Sequence, residues 1–182
     1  MFKRILSLFC CFALSVGAVS CTSLKSRHYP GEKVALTEED ISPQTVWKAG
    51  EDVYFVRLAE DGTLAAATLK WEAQKGAYAM QTYQLVPSKI GDNQFLNVKD
   101  GDYYTLLRLV GAGEDTVVLL TVDADKIEKD VADGVLQARK EEGNFVMEGS
   151  KEDLDRYIAG HIDTLFSLEA AGVARLISGQ LK

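Results

Sequence analysis

From residue 53 to residue 122 the chain repeats one device: a run of five to ten β-branched, aromatic and aliphatic residues, then a short turn bearing Gly, Asp or Asn. The runs predict strands over 53–59, 63–72, 77–86, 94–98, 103–110 and 116–122. The turns are Glu60-Asp61-Gly62, Gln74-Lys75-Gly76, Gly91-Asp92-Asn93, Lys99-Asp100-Gly101-Asp102 and the segment 111–115, with Pro87 closing the third strand. Connections this short join antiparallel neighbours and leave no room for the crossover helix that parallel strands need. Side chains alternate across a strand, so 63–72 divides into Leu64, Ala66, Thr68 and Lys70 on one face and Ala65, Ala67, Leu69 and Trp71 on the other. The second set, which carries the larger apolar groups, is expected to point inward.

The flanks are mixed. Thr37-Glu38-Glu39-Asp40 reads as a short helical turn stopped by Pro43. Asp123 is placed to cap a helix over 124–132 that stops at Gly134, and a small hairpin follows over 135–139 and 145–148. Ser150 and Asp153 have capping-box spacing and open a second helix, in which Leu154, Tyr157, Ile158 and Leu165 share a face. A closing strand is expected over 173–177. The fold class that follows is mainly β (α+β): an antiparallel meander forming a small barrel or sandwich, with two short helices covering an open end or edge. The architecture is lipocalin-like, but the Gly-x-Trp signature of true lipocalins is missing, since Trp47 is followed by Lys48, Ala49 and Gly50. The likeness is one of architecture and carries no function with it.

The start of the chain is an address. Lys3 and Arg4 precede an uncharged apolar run from Ile5 to Val19, the layout of an export signal. As a helix it would reach only about 22 Å, short of the roughly 30 Å hydrocarbon core of a bilayer. It ends in Ala18-Val19-Ser20-Cys21. This resembles the lipobox of bacterial lipoproteins, with Ala18 where leucine is commonest. The resemblance covers about the first 21 residues and implies that the Cys21 thiol receives a diacylglyceryl group and becomes mature residue one. Two or more acyl chains anchor stably where one does not. Thr22 follows in place of the Asp that favours inner-membrane retention in Gram-negative members of the class, so the resemblance implies an outer-membrane site facing the periplasm. Cys10 and Cys11 fall in the discarded leader, leaving the domain no thiol to oxidise.

The expected organisation is a signal peptide over 1–20, a lipidated cysteine and flexible tether over 21–32, and one β-rich domain over 33–182. About 160 residues suffice for one core without disulfides. Lys3 and Arg4 leave with the leader and take the net charge from −7 to −9. So acidic a domain is not expected to seek nucleic acid or anionic lipid by its net charge.

Motifs of catalysis are missing. There is no Gly-x-Ser-x-Gly, no phosphate-binding lysine loop and no dinucleotide fingerprint. The two histidines, His28 and His161, have no metal-ligand spacing, and the acidic pairs sit where turns and caps already favour Asp. No enzyme, cofactor or metal is expected. The aromatic residues on the predicted strands are more suggestive: Trp71, Tyr104 and Arg108 are candidate ligand contacts, with Arg108 holding an anionic head and the aromatics an apolar body. The expected function is a lipid-anchored cell-envelope protein with a non-catalytic binding domain for an apolar small molecule or an envelope component. The alternative is a protein-interaction or inhibitor module without a ligand pocket.

Overall fold

Each predicted hairpin pairs across its turn, and the last strand returns to close the ring. The computed structural model describes residues 23–113 and 115–179, and only the backbone of 112–113 and 167–171. The leader and the lipobox with Cys21 lie outside the described residues. In chain order the elements are β1 (Leu24–Ser26), β2 (Glu32–Lys33), β3 (Gln44–Ala49), β4 (Asp52–Leu58), β5 (Leu64–Glu72), β6 (Ala77–Ile90), β7 (Asn93–Asp100), β8 (Tyr103–Gly113), β9 (Thr116–Val122), α1 (Ala124–Ala132), β10 (Ala138–Glu141), β11 (Asn144–Met147), α2 (Lys151–Leu165) and β12 (Phe166–Ser178). The ring runs β8-β7-β6-β5-β4-β3-β12-β9 and closes on the pairing of β8 with β9. It is an eight-stranded antiparallel barrel with two helices, as the meander implies. No helix among the described residues is long and apolar enough to cross a membrane.

One edge of β8 serves two partners: β1 pairs with it at Thr105 and Tyr104, and β9 pairs from Arg108 onward. Behind β1, a short flap of β11 and β10 extends the sheet. The helices start where their caps put them. The Asp123 side chain accepts from the Lys126 backbone N–H at 3.0 Å, and Ser150 and Asp153 form a reciprocal capping box. Leu154, Ile158 and Leu165 of α2 and Ile127 of α1 are completely buried against Phe95, Leu106, Leu120 and Val122, which point outward from β7, β8 and β9. This layer is the main core, and it lies outside the barrel wall.

Three expectations need correction. The tether fails from Leu24 onward: Leu24 is fully buried and paired, Pro30 is fully buried, and Tyr29 meets the Tyr104 ring edge-on at 5.4 Å. Gly31 is held to α2 by its own N–H, which donates to Asp155 at 2.6 Å, and by its carbonyl, which accepts from Lys151 at 2.6 Å. Its φ of +70° and a place for Cβ only 1.9 Å from the Lys89 carbonyl admit glycine alone. Composition marked this stretch as polar, and its backbone bonds made it structure.

The third strand also runs on through Pro87 to Ile90. Beyond Leu85, β5 no longer pairs with β6, and the Pro87 carbonyl faces that open side, accepting from Val34. Groups of one residue point the same way in a strand, so the ring nitrogen lies on the same side and breaks no bond to β7. Finally, β5 has the opposite orientation to that expected. Leu64, Ala66, Thr68 and half-buried Lys70 point inward, while Leu69 and Trp71 are 60% and 56% exposed. The bulky indole of Trp71 thus stays outside, and the inward face is shared by Ala66 and Thr68 with two longer side chains, Leu64 and Lys70.

Candidate functional site

Two surfaces are built by this arrangement: the lumen, and the outer wall of β4, β5 and β6. The lumen is lined by alternate residues of every strand. Tyr54, Val56, Leu64, Ala66, Ala49 and Ala174 form one cluster, and Val98, Leu107 and Leu119 another. Tyr83, Leu85 and Leu96 bridge the two and are only partly buried, although Leu85 and Leu96 lie opposite Leu64 and Leu107 in the middle of their strands. Water therefore reaches apolar side chains in the interior. In the helix-covered layer, by contrast, five aliphatic residues have no exposure at all.

One end of the lumen is polar. The register across the Glu60-Asp61-Gly62 turn places Leu58 opposite Leu64 and continues to set Asp52 level with Lys70, whose ammonium donates to the Asp52 carboxylate. Both side chains are mostly buried, so the pair offsets the cost of desolvating two charges. Beside them the Tyr54 hydroxyl is buried close to the Asp52 carboxylate, with no partner at full hydrogen-bond distance. Burial, and then the nearby Asp52 charge, push the Tyr54 phenol well above its ordinary range, so it stays a donor at any physiological pH. Tyr83 is raised by the same causes in the same order, and its hydroxyl donates to Gln81 at 2.8 Å. A buried hydroxyl without a partner costs about 1–3 kcal/mol, and an acceptor brought by a ligand would remove that cost. This cluster was missed in the sequence, though the hairpin register held the signal: once the turn is fixed, Asp52 and Lys70 must meet.

The residues expected to contact a ligand do not converge. Trp71 stands on the outside of β5, with its ring 5.2 Å from that of Tyr78. Tyr104 packs under Tyr29 on β8. Arg108 points outward under α2, where it donates to the Ile162 carbonyl at 3.1 Å and to the Asn93 side chain at 2.7 Å. It is a strut between barrel and helix. A cleft of about 190 Å³ lies between Lys25, Tyr103, Glu141, Glu142, Asn144 and Val146, smaller than the roughly 300 Å³ at which small-molecule sites begin.

His161 donates from Nδ1 to the Tyr157 carbonyl one turn back, and the two rings lie 4.7 Å apart. Tyr157 in turn donates to buried Asp130 at 2.7 Å, with Lys126 as the second donor. No group of acids and histidines among the described residues could hold a metal ion. No protein-family model matches the chain, and no curated protein or solved structure matches it.

Proposed function

We propose that this chain is a lipid-anchored cell-envelope protein whose barrel binds an apolar small molecule in its lumen without catalysis. The anchor is the thioether-linked lipid on Cys21 and the site is the periplasmic face of an outer membrane. The observation that supports binding is the partly open inner wall around Tyr83, Leu85 and Leu96, with the unpaired Tyr54 hydroxyl at its polar end. The ligand that suits it has an apolar body and one hydrogen-bond acceptor, the usual balance of a small-molecule site. Trp71 and Arg108 have no part in this reading.

The test is native mass spectrometry of the protein purified from its own membranes, with displacement of a naphthylamine dye as a second readout. A retained apolar compound, and dye binding lost on filling the lumen with Ala66→Phe or Leu96→Trp, are expected. Dye binding that survives both fillings and disappears with Trp71→Ala would refute the lumen as the site. For the anchor, Cys21→Ser is expected to move the protein out of the membrane fraction, and continued tight association would refute lipidation.

A further inference from the structure

The outer wall opposite the helices is apolar and bare. Phe55, Leu69, Trp71, Tyr78 and Met80 are each more than half exposed, and they are neighbours: Leu69 faces Met80, Trp71 faces Tyr78, and Phe55 lies one diagonal step from Leu69. At about 200 Å² for each free side chain they leave roughly 600 Å² of apolar surface open. That is the upper end of the about 300–600 Å² found on ordinary monomers, and most of the about 800 Å² that one partner contributes to a standard interface.

The charges around this surface are mainly positive. Lys48 on β3, Arg57 on β4 and Arg175 on β12 are exposed and outward, with Arg175 directly opposite Lys48, and Lys48 opposite Val53 at the patch margin. Among the described residues none of the three takes part in an ion pair. Of the three acids at this end of the strands, Asp52 is engaged inward with Lys70 and Glu72 at the hairpin tip with Lys75, and exposed Glu51 in the β3–β4 turn offsets one of the three cations. A chain of net charge −7 thus turns an outward face to solvent that is apolar in the centre and predominantly cationic at the rim.

The position of this wall selects the occupant. The described chain begins at Ser23, which is held to Asn144 beside β1, and β1 lies on β8. In a ring of eight strands β4 stands four places from β8 in either direction, on the far side of the barrel. Only two residues separate Cys21 from the first β1 residue, Leu24. On the anchored reading above, the bilayer lies on the β8 side and this wall faces away from it. A second copy would bring cations against cations.

We propose that the outer wall of β3 to β6 and β12 docks an acidic protein partner, one whose apolar contact residues are bordered by Asp or Glu placed to meet Lys48, Arg57 and Arg175. The lumen is free to work at the same time, so this function is additional to ligand binding. Electrostatic complementarity of this kind sets partner choice and encounter rate, while the aromatic centre supplies most of the affinity.

The experiment places a photoreactive residue at Met80 in the full-length, lipidated protein in its host, with Glu128 on α1 as the control position. The expected result is one protein crosslinked at Met80 and not at Glu128, through a peptide in which apolar residues adjoin carboxylates. The double variant Lys48→Glu with Arg175→Glu is expected to lower the yield roughly tenfold, and reversing a partner carboxylate to lysine to restore it. Dye binding in the lumen and membrane anchoring, measured on the same variants, stay unchanged, which separates failure here from failure of the earlier reading. Crosslinks to lipid alone, to a second copy alone, equally at both positions, indifferent to the charge reversal, or to nothing would each overturn the proposal.

Discussion

The wall formed by β7, β8 and β9 and the wall formed by β4, β5 and β6 are made to one pattern and meet opposite fates. Both carry large apolar groups on their outward faces. Phe95, Leu106, Leu120 and Val122 are sealed under α1 and α2, whereas Phe55, Leu69, Trp71, Tyr78 and Met80 stand in water. Burial at about 25 cal/mol per Å² makes the first set a source of stability, and the second gains nothing until something covers it. Apolar outward residues therefore mean a core where a helix is at hand and a contact surface where none is.

This contrast breaks or sharpens with mutation. The largest effect is expected from Ile158→Ala, which opens a cavity in the sealed layer and lowers the unfolding free energy by about 2–5 kcal/mol. Trp71→Ala on the bare wall should change it by less than about 0.5 kcal/mol. Urea denaturation of both variants checks the pair, and similar losses would erase the distinction.

Next is Asp130→Ala, which leaves the buried Tyr157 hydroxyl and the Lys126 ammonium without their carboxylate, at a cost of about 3 kcal/mol. Burial alone would raise the Asp130 pKa, but the hydrogen bonds from Lys126 and Tyr157 outweigh it and hold it below the ordinary value. The contribution of a carboxyl depressed in this way is complete above about pH 4, the unfolded value, and is lost as pH falls through the folded one. Denaturation midpoints measured from pH 5 downward should fall more steeply in the parent protein than in Asp130→Ala.

A smaller change of opposite sign is expected in the lumen. Tyr54→Phe removes a buried hydroxyl that has no partner and should raise stability by about 1 kcal/mol in protein free of ligand, while weakening ligand retention. Destabilisation on thermal denaturation would show that the hydroxyl is satisfied. The smallest effect is that of Lys48→Glu with Arg175→Glu on folding, within about 0.5 kcal/mol, since both side chains are exposed and their part is in binding.

The fold was legible where local rules decide it. Positive-φ glycines at Gly62, Gly76, Gly91 and Gly101 sit in the turns between strands, and the caps at Asp123 and Ser150 start both helices. Closure was half legible, because the strand count and short turns imply a ring but not which strands seal it. What could not be read was direction. In 63–72 both faces are apolar, so alternation divides the residues without saying which set is inside, and the inward pair of Lys70 with Asp52 belongs to the face of Ala66 and Thr68. The candidate contacts Trp71, Tyr104 and Arg108 scattered for the same reason, since each face depends on what covers it. Leu24 was hidden because its partners, on β11 and β8, are about 120 and 80 positions away.

That last separation bears on how the molecule is completed. The first strand of the described chain can pair with β11 only after Phe145 and Val146 exist, so an early part of the chain waits for a late one. Contacts so distant in sequence are slow to form. Until β1 docks, the edge of β8 at Tyr104 and Thr105 stands open, a row of backbone groups that the chain's own beginning must cover.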